Sequence, residues 1–215
     1  MGVKELVVTR MASRREQILR ESFRLFSEHG IESVTMPDIA KASGVGRATL
    51  FRYFGSKLDL IIEVGAWAWR QYYKDYGSRN NTAGFAGMTA AEEFELFLDF
   101  FLDLYRNHSE VLRFNQYFNI YVKGAKASAD KLESYIKMID AVADRFHSIY
   151  IKAESDGTLR TDVSEKEMFE STLHIMLAVV TRYAVGLVYV PGGESAPEGE
   201  LILLKDMLLD RYRLR

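Results

Sequence analysis

Five times along this 215-residue chain a Ser or Thr is followed three residues later by an acid and then by apolar residues at helical spacing. The instances are Ser13-Arg-Arg-Glu16, Thr35-Met-Pro-Asp38, Ser56-Lys-Leu-Asp59, Thr89-Ala-Ala-Glu92 and Ser164-Glu-Lys-Glu167. In this arrangement the hydroxyl accepts from an N–H of the first helical turn while the acid reaches back to the N–H of the capping residue, so each instance marks a helix start. The chain has only three prolines, all near expected element ends, and the economical fold class is all-α.

The apolar periodicity sets the expected spans. A first helix covers 13–29, with Ile18, Leu19, Ser22, Phe23 and Phe26 on one stripe and Gly30 as its left-handed cap. Short helices follow over 36–42 and 47–54, and a long one runs from Ser56 toward Tyr76. Further helices are expected at 90–106, 109–123, 128–155, 164–189 and 198–213, with loops at 77–88 and 190–199. The residues before Ser13 read as an arm, either disordered or lying in a minor groove. The expected domain boundary falls at residue 60, giving segments 1–60 and 61–215.

Composition removes several function classes. The chain has no cysteine, which excludes disulfides, thiolate zinc sites and cysteine nucleophiles. The four histidines, His29, His108, His147 and His174, lack the spacing of a metal site, and there is no G-x-S-x-G elbow or P-loop. Neither an enzyme nor a metal or other cofactor is expected. The stretch 175–190 is the most apolar, but it contains Arg182 and falls short of the roughly 18 to 20 apolar residues of a membrane span. No membrane partner is expected, and with no apolar signal-like run near the start the expected compartment is the cytoplasm. The net charge of −2 is unevenly spread: residues 1–60 hold ten Lys and Arg against seven Asp and Glu, a balance of +3. A basic end on an acidic body suits a localised contact with phosphates.

That basic end contains two short helices joined by a glycine turn. Helices that cross closely need a small residue where they touch, a glycine four residues later with positive φ, and apolar residues to seat the second helix. Ala40, Gly44, Val45 and Leu50 occupy those positions in order. With Leu50 and Phe54 inward, the third helix displays Arg47, Ala48, Thr49, Phe51, Arg52 and Tyr53. Guanidinium groups can take guanine edges and Ala48 can approach a thymine methyl, while the hydroxyls of Thr49 and Tyr53 and the ammonium of Lys57 suit phosphates. The segment reads as a double-stranded DNA reader. The arginines of the first helix, Arg14, Arg15, Arg20 and Arg24, read as its solvated face.

Residues 18–62, ILRESFRLFSEHGIESVTMPDIAKASGVGRATLFRYFGSKLDLII, resemble the DNA-binding region of TetR-family transcriptional regulators. The resemblance rests on the ILxxSFxLFxxxG helix, the Thr35 cap, the IAxxxGV turn, the TLFRYF helix and the SKxxL start, all in register. It implies an N-terminal three-helix helix-turn-helix domain and a C-terminal helical domain for ligand binding and dimerisation. It also implies a homodimer in which Arg47, Ala48 and Arg52 face bases while Thr35, Thr49, Tyr53 and Lys57 face the phosphate backbone. Phe51 stands where the family commonly has tyrosine, so a phosphate contact by that hydroxyl is lost and the ring is left to a sugar or thymine methyl.

The remainder holds 22 aromatics after residue 60, most of them core at helical spacing. Glu92, Glu95, Asp99 and Asp103 read as a solvated face. Pockets are mostly apolar with a few orienting polar groups, so the candidate ligand contacts are polar side chains set among aromatics. These are Asn115, Gln116, Asn119, His147, His174 and Arg182, bordered by Phe97, Phe101, Tyr117 and Tyr121. The aromatic surroundings suit an apolar or aromatic small-molecule effector. The helix over 168–189 is apolar nearly all round, and with the last helix it is expected to form a symmetric interface between two copies. The function expected is a ligand-responsive repressor of a palindromic operator. The alternative is an activator or other DNA-binding regulator that acts through a protein partner without a small ligand.

Overall fold

A computed structural model describes residues 3–79, 87–186 and 197–214. Nine helices are formed among the described residues: α1 (Val3–His29), α2 (Met36–Ala42), α3 (Arg47–Phe54), α4 (Lys57–Arg79), α5 (Ala90–Asn107), α6 (Ser109–Gly124), α7 (Ala129–Asp156), α8 (Glu165–Val185) and α9 (Pro197–Tyr212). The all-α fold matches the expectation, and the short helices begin and end where the spacing placed them. No helix among the described residues is long and apolar enough to cross a membrane. The expected loops at 77–88 and 190–199 fall largely on 80–86 and 190–196, outside the described residues.

Four of the five expected starts are real caps. The hydroxyls of Thr35, Thr89 and Ser164 accept from the N–H groups of Asp38, Glu92 and Glu167, and that of Ser56 from Asp59 at 3.1 Å. Ser13 is the exception, since α1 begins at Val3 and runs straight through it. No Gly or Pro stands between Val3 and His29, so nothing stops the helix from extending backwards over the stretch expected as an arm. Glu16, freed from capping, accepts instead from the Trp67 indole Nε1 at 2.7 Å.

The chain divides into two compact units. The first holds α1 to α3, α4 as far as Tyr72, α6 from Arg113 and α7 as far as Met138. Its core gathers Ile18, Leu19 and Phe26 of α1, Ile39 and Ala40 of α2, Leu50 and Phe54 of α3, and Leu60, Ile61, Val64 and Trp67 of α4 around Phe114, Phe118 and Val122 of α6. The rings of Phe23 and Phe26 meet Phe114, and Phe118 lies 4.4 Å from Tyr135 between centroids. The Tyr135 hydroxyl donates to Asn115 Oδ1 at 2.7 Å. Burial pushes its pKa up to about 12, against the opposing effect of a hydrogen bond with Trp69, so it stays a neutral donor.

The second unit holds the rest of α4, α5, α6 up to Leu112, α7 from Ile139, α8 and α9. Phe94 and Phe97 of α5 pack edge-on against Phe146 of α7, and Phe94 also meets Tyr212 of α9. The acidic row expected to face solvent is only partly covered: Glu92 is exposed, while Lys205 of α9, its own side chain only 12% exposed, donates to Asp99 at 2.6 Å and pairs with Glu95 at 3.0 Å. Periodicity identifies a polar face but not whether a charged partner on another helix will cover it. Glu92 is taken up in the Thr89 cap.

Gly65 sets how closely α4 is approached in the first unit. A Cβ at this position would lie 3.0 Å from Phe118 Cε2 and 3.3 Å from Tyr135 Cδ2. Gly65→Ala gains about 1 kcal/mol of helix propensity but overpacks the buried Phe118 and the partly buried Tyr135 at a cost of about 1–3 kcal/mol. The expected net result is a loss of about 1 kcal/mol, read as a lower urea midpoint with an unchanged slope.

Candidate nucleic-acid interface and ligand cavity

The reader is built from its turn outward. After α2 the chain turns through Gly44 at φ 63°, and Val45 N–H donates to the Ala40 carbonyl at 3.0 Å. A side chain at Gly44 would be strained by that φ alone. Ser43 is buried with its hydroxyl on the Ile39 carbonyl at 2.7 Å, so the turn carries no unsatisfied group inside. Gly46 then caps α3, and Leu50 and Phe54 go into the core at 0% and 4% exposure.

With those two residues seated, the opposite face of α3 is determined. Arg47, Ala48, Phe51 and Arg52 are exposed, and Thr49 and Tyr53 are half-buried at its edges. The Arg47 guanidinium lies 6.0 Å from the centre of the Phe51 ring, a cation–π arrangement that holds the arginine along the helix. Phe51 is 38% exposed. Of the expected phosphate group, Thr35 is engaged in its capping box and Lys57 is half-buried. Lys57 Nζ donates to the Ile31 carbonyl at 2.7 Å and lies 5.5 Å from the Tyr121 ring centre. Burial lowers its pKa, with the Glu32 charge acting in the other direction.

The candidate ligand residues do not converge. Asn115, Tyr117 and Tyr121 lie in the first unit: Asn115 is buried against Tyr135, Tyr117 rests on Gly30, and Tyr121 faces Lys57. Gln116 and Asn119 are exposed, as are His174 and Arg182 on α8. His147 is also exposed and pairs with Glu165 at 3.0 Å, which raises its pKa. Of the set, Phe97 borders a cavity in the second unit, with Phe101 buried edge-on behind it.

That cavity lies wholly within the second unit and has a volume of about 330 Å³. It is lined by Tyr73, Tyr76 and Gly77 of α4, Glu93, Leu96, Phe97 and Phe100 of α5, and Ala141, Val142 and Arg145 of α7. Tyr73 stacks on Phe100 at 5.7 Å between centroids, and Tyr76 meets the same ring edge-on at 5.3 Å. One charged cluster interrupts this apolar wall: the Glu93 side chain, 8% exposed, takes Arg145 Nη2 at 3.1 Å and Lys152 Nζ at 2.6 Å. Sequence reasoning passed over Glu93 and Arg145. The available signal was that Glu93 shares the apolar stripe of Phe97 and Phe100, where an acid has no place without a buried partner.

The cap beneath the reader titrates. The Asp38 carboxyl is held below its ordinary 3.8 by hydrogen bonds from the Thr35 hydroxyl and then the Thr35 N–H. A depressed folded-state pKa contributes stability that is full above 3.8 and is lost as pH falls through the lowered value. Thr35→Ala should cost about 1 kcal/mol at neutral pH. Thermal melts should show the variant closing on the wild type at acid pH, where the wild type loses this contribution.

Residues 18–64 match the family model described as bacterial regulatory proteins, tetR family. The transcriptional regulator AcrR of Shigella flexneri is 42% identical over 50 residues, a match that spans 23% of this chain and 23% of that protein. The chain thus matches under a quarter of that relative's length. Among solved structures, a Saccharomonospora viridis protein in complex with choline superposes with a TM-score of 0.73 at 16% identity, covering 95% of this chain and 100% of that one. AibR in complex with isovaleryl coenzyme A and operator DNA superposes at 0.65 and 17% identity, covering 91% and 98%. These two share the fold. With its turn, its seated α3 and its exposed basic face in register with that family model, the segment 18–64 is similar to the tetR family of bacterial regulatory proteins.

Proposed function

We propose that the protein is a ligand-responsive transcriptional repressor that binds a palindromic operator as a homodimer in the cytoplasm. The observation that carries this reading is the exposed face of α3, where Arg47, Ala48, Phe51 and Arg52 stand clear of a core that holds the helix rigidly. Residues 1–60 act as the reader and 61–215 as the effector-binding and dimerising part. Arg47, Ala48 and Arg52 address base edges, Phe51 a thymine methyl or sugar, and Thr35, Thr49, Tyr53 and Lys57 the phosphates. AibR, of the same fold, was solved with both operator DNA and a small molecule, which supports a two-ligand reading.

Dimerisation is assigned to α8 and α9. These helices pack on one another and on α5, yet each leaves apolar side chains in water: Ile175 and Val185 on α8, and Ile202, Leu203 and Met207 on α9, the last two 60% exposed. A second copy would cover them by a two-fold arrangement. It would set two recognition helices one DNA turn apart, roughly 34 Å. An effector in the cavity of the second unit would favour a geometry that misses that spacing, and a coupling of about 1–3 kcal/mol suffices for release.

Selection from a random duplex pool at near-physiological salt should recover a palindrome; no enrichment by an intact dimer would sink the reading. On the recovered site, Arg52→Ala should cost about 1–3 kcal/mol and relax preference at one position per half-site. The double substitution Leu203→Glu with Met207→Glu should give a folded monomer in sedimentation, with operator affinity reduced to that of a half-site. A stable dimer of that variant would move the interface elsewhere.

A further inference from the structure

Tyr117 and Tyr121 stand one helical turn apart on α6 and straddle the turn that joins α1 to α2. Tyr117 lies against Gly30, where a Cβ would meet its ring at 3.8 Å. Tyr121 faces the Lys57 ammonium, which sits 5.5 Å from the ring centre and donates to the Ile31 carbonyl at 2.7 Å. Glu32, exposed in the same turn, adds an attraction that solvent screens. The cation is thus held between a ring of α6 and a carbonyl of the α1–α2 turn. Yet it belongs to the first residue of α4, with only Gly55 and Ser56 between it and α3.

To meet a phosphate in solvent, the head of Lys57 must leave this half-buried position. Its four-carbon stem is flexible, so the head can change partners while the start of α4 stays capped by Ser56. Phosphate is the stronger partner, because it carries a full charge opposite to that of the ammonium and because the contact releases a counterion from the duplex. Whatever holds the ammonium in the free protein is subtracted from that gain. Resting on the reading that α3 and the start of α4 bind duplex DNA, we infer that Tyr121 is a positioning residue for that binding: its ring competes with the DNA backbone for the Lys57 ammonium and thereby sets operator affinity without touching DNA. This gives Tyr121 a role within the first unit in place of the effector contact expected of it.

The test uses the full chain and the duplex recovered by selection, with affinity read by fluorescence anisotropy over a series of salt concentrations. Tyr121→Leu, which keeps an apolar side chain and removes the ring face, should tighten binding by about twofold to fivefold for each half-site, the range of a cation–π contact at a partly exposed position. Tyr121→Phe, which keeps the face, should bind as the wild type does. Lys57→Met, which keeps the stem and removes the charge, should weaken binding and lower the slope of log affinity against log salt by about 0.9 for each lysine lost. In the Lys57→Met background, Tyr121→Leu should change affinity by less than about 1.5-fold, since no ammonium remains to compete for. A general loosening of α6 would act in both backgrounds. In the free protein the Tyr121 ring should shift the Lys57 ε-methylene resonance upfield, and operator should return it to its position in Tyr121→Leu.

Operator binding that Tyr121→Leu leaves unchanged or weakens, an equal effect of that substitution in both backgrounds, an unchanged salt slope for Lys57→Met, or a Lys57 resonance that operator does not move would each overturn the competition while leaving α3 as the reader. Absence of sequence-specific binding by the wild-type dimer would overturn the inference together with the DNA-binding reading on which it rests.

Discussion

Everything the first unit does depends on how closely the rings of Phe118 and Tyr135 approach the backbone of α4 at Gly65. That approach lets the cluster of Phe114, Phe118 and Tyr135 reach the inner sides of α1 and α4, and the same core receives Leu50 and Phe54 from α3. An eight-residue helix has too few turns to persist in water by its own hydrogen bonds. The helix α3 is therefore a product of this packing, and the direction of its outer face is inherited from the two side chains it buries. The positive φ at Gly44 and the hydrogen bond from Val45 to Ala40 then fix how α3 departs from α2.

The two candidate sites handle charge in opposite ways. On α3 the cations are left in water, where they cost nothing to keep and stay available to a polyanion. In the cavity wall, Glu93 is almost fully buried and is tolerated because two cations of α7 meet it, seven residues apart on one side of that helix. Lys205, clasped between Glu95 and Asp99, is a second case of long-range pairing, and it joins α9 to α5 where periodicity alone had left an acidic face to solvent. Removing the partners of Glu93 or of Lys205, whose side chains are 8% and 12% exposed, would leave a poorly solvated charge behind, which makes these contacts specific about which helix lies where.

The helices were legible because their signals are local. A hydroxyl and an acid three residues apart, a glycine past the last turn and a 3.6-residue apolar period all act within one element, and the spans of α2 and α3 followed from them residue for residue. The failure at Ser13 has the same origin: a capping pair stops a helix only if the preceding chain is not helical, and the stretch from Val3 contains nothing to break it. The outer face of α3 was legible too, since naming Leu50 and Phe54 as inward leaves the other side of a short helix outward.

The cavity was not legible, because its wall is drawn from three helices separated by many residues, and polarity among aromatics is a poor guide to which side chains meet. Asn115 stands among aromatics as expected, but it is consumed by Tyr135, whereas Glu93 and Arg145, ordinary surface residues by composition, border the cavity. The sequence by itself determined the helical class, the positions of the helices and the side of α3 that faces away from the core, since each depends on contacts a few residues apart. Only the tertiary structure decided which charges are paired, which aromatics enclose space instead of filling it, and which acidic face is covered, because those outcomes depend on residues that become neighbours only after helices pack.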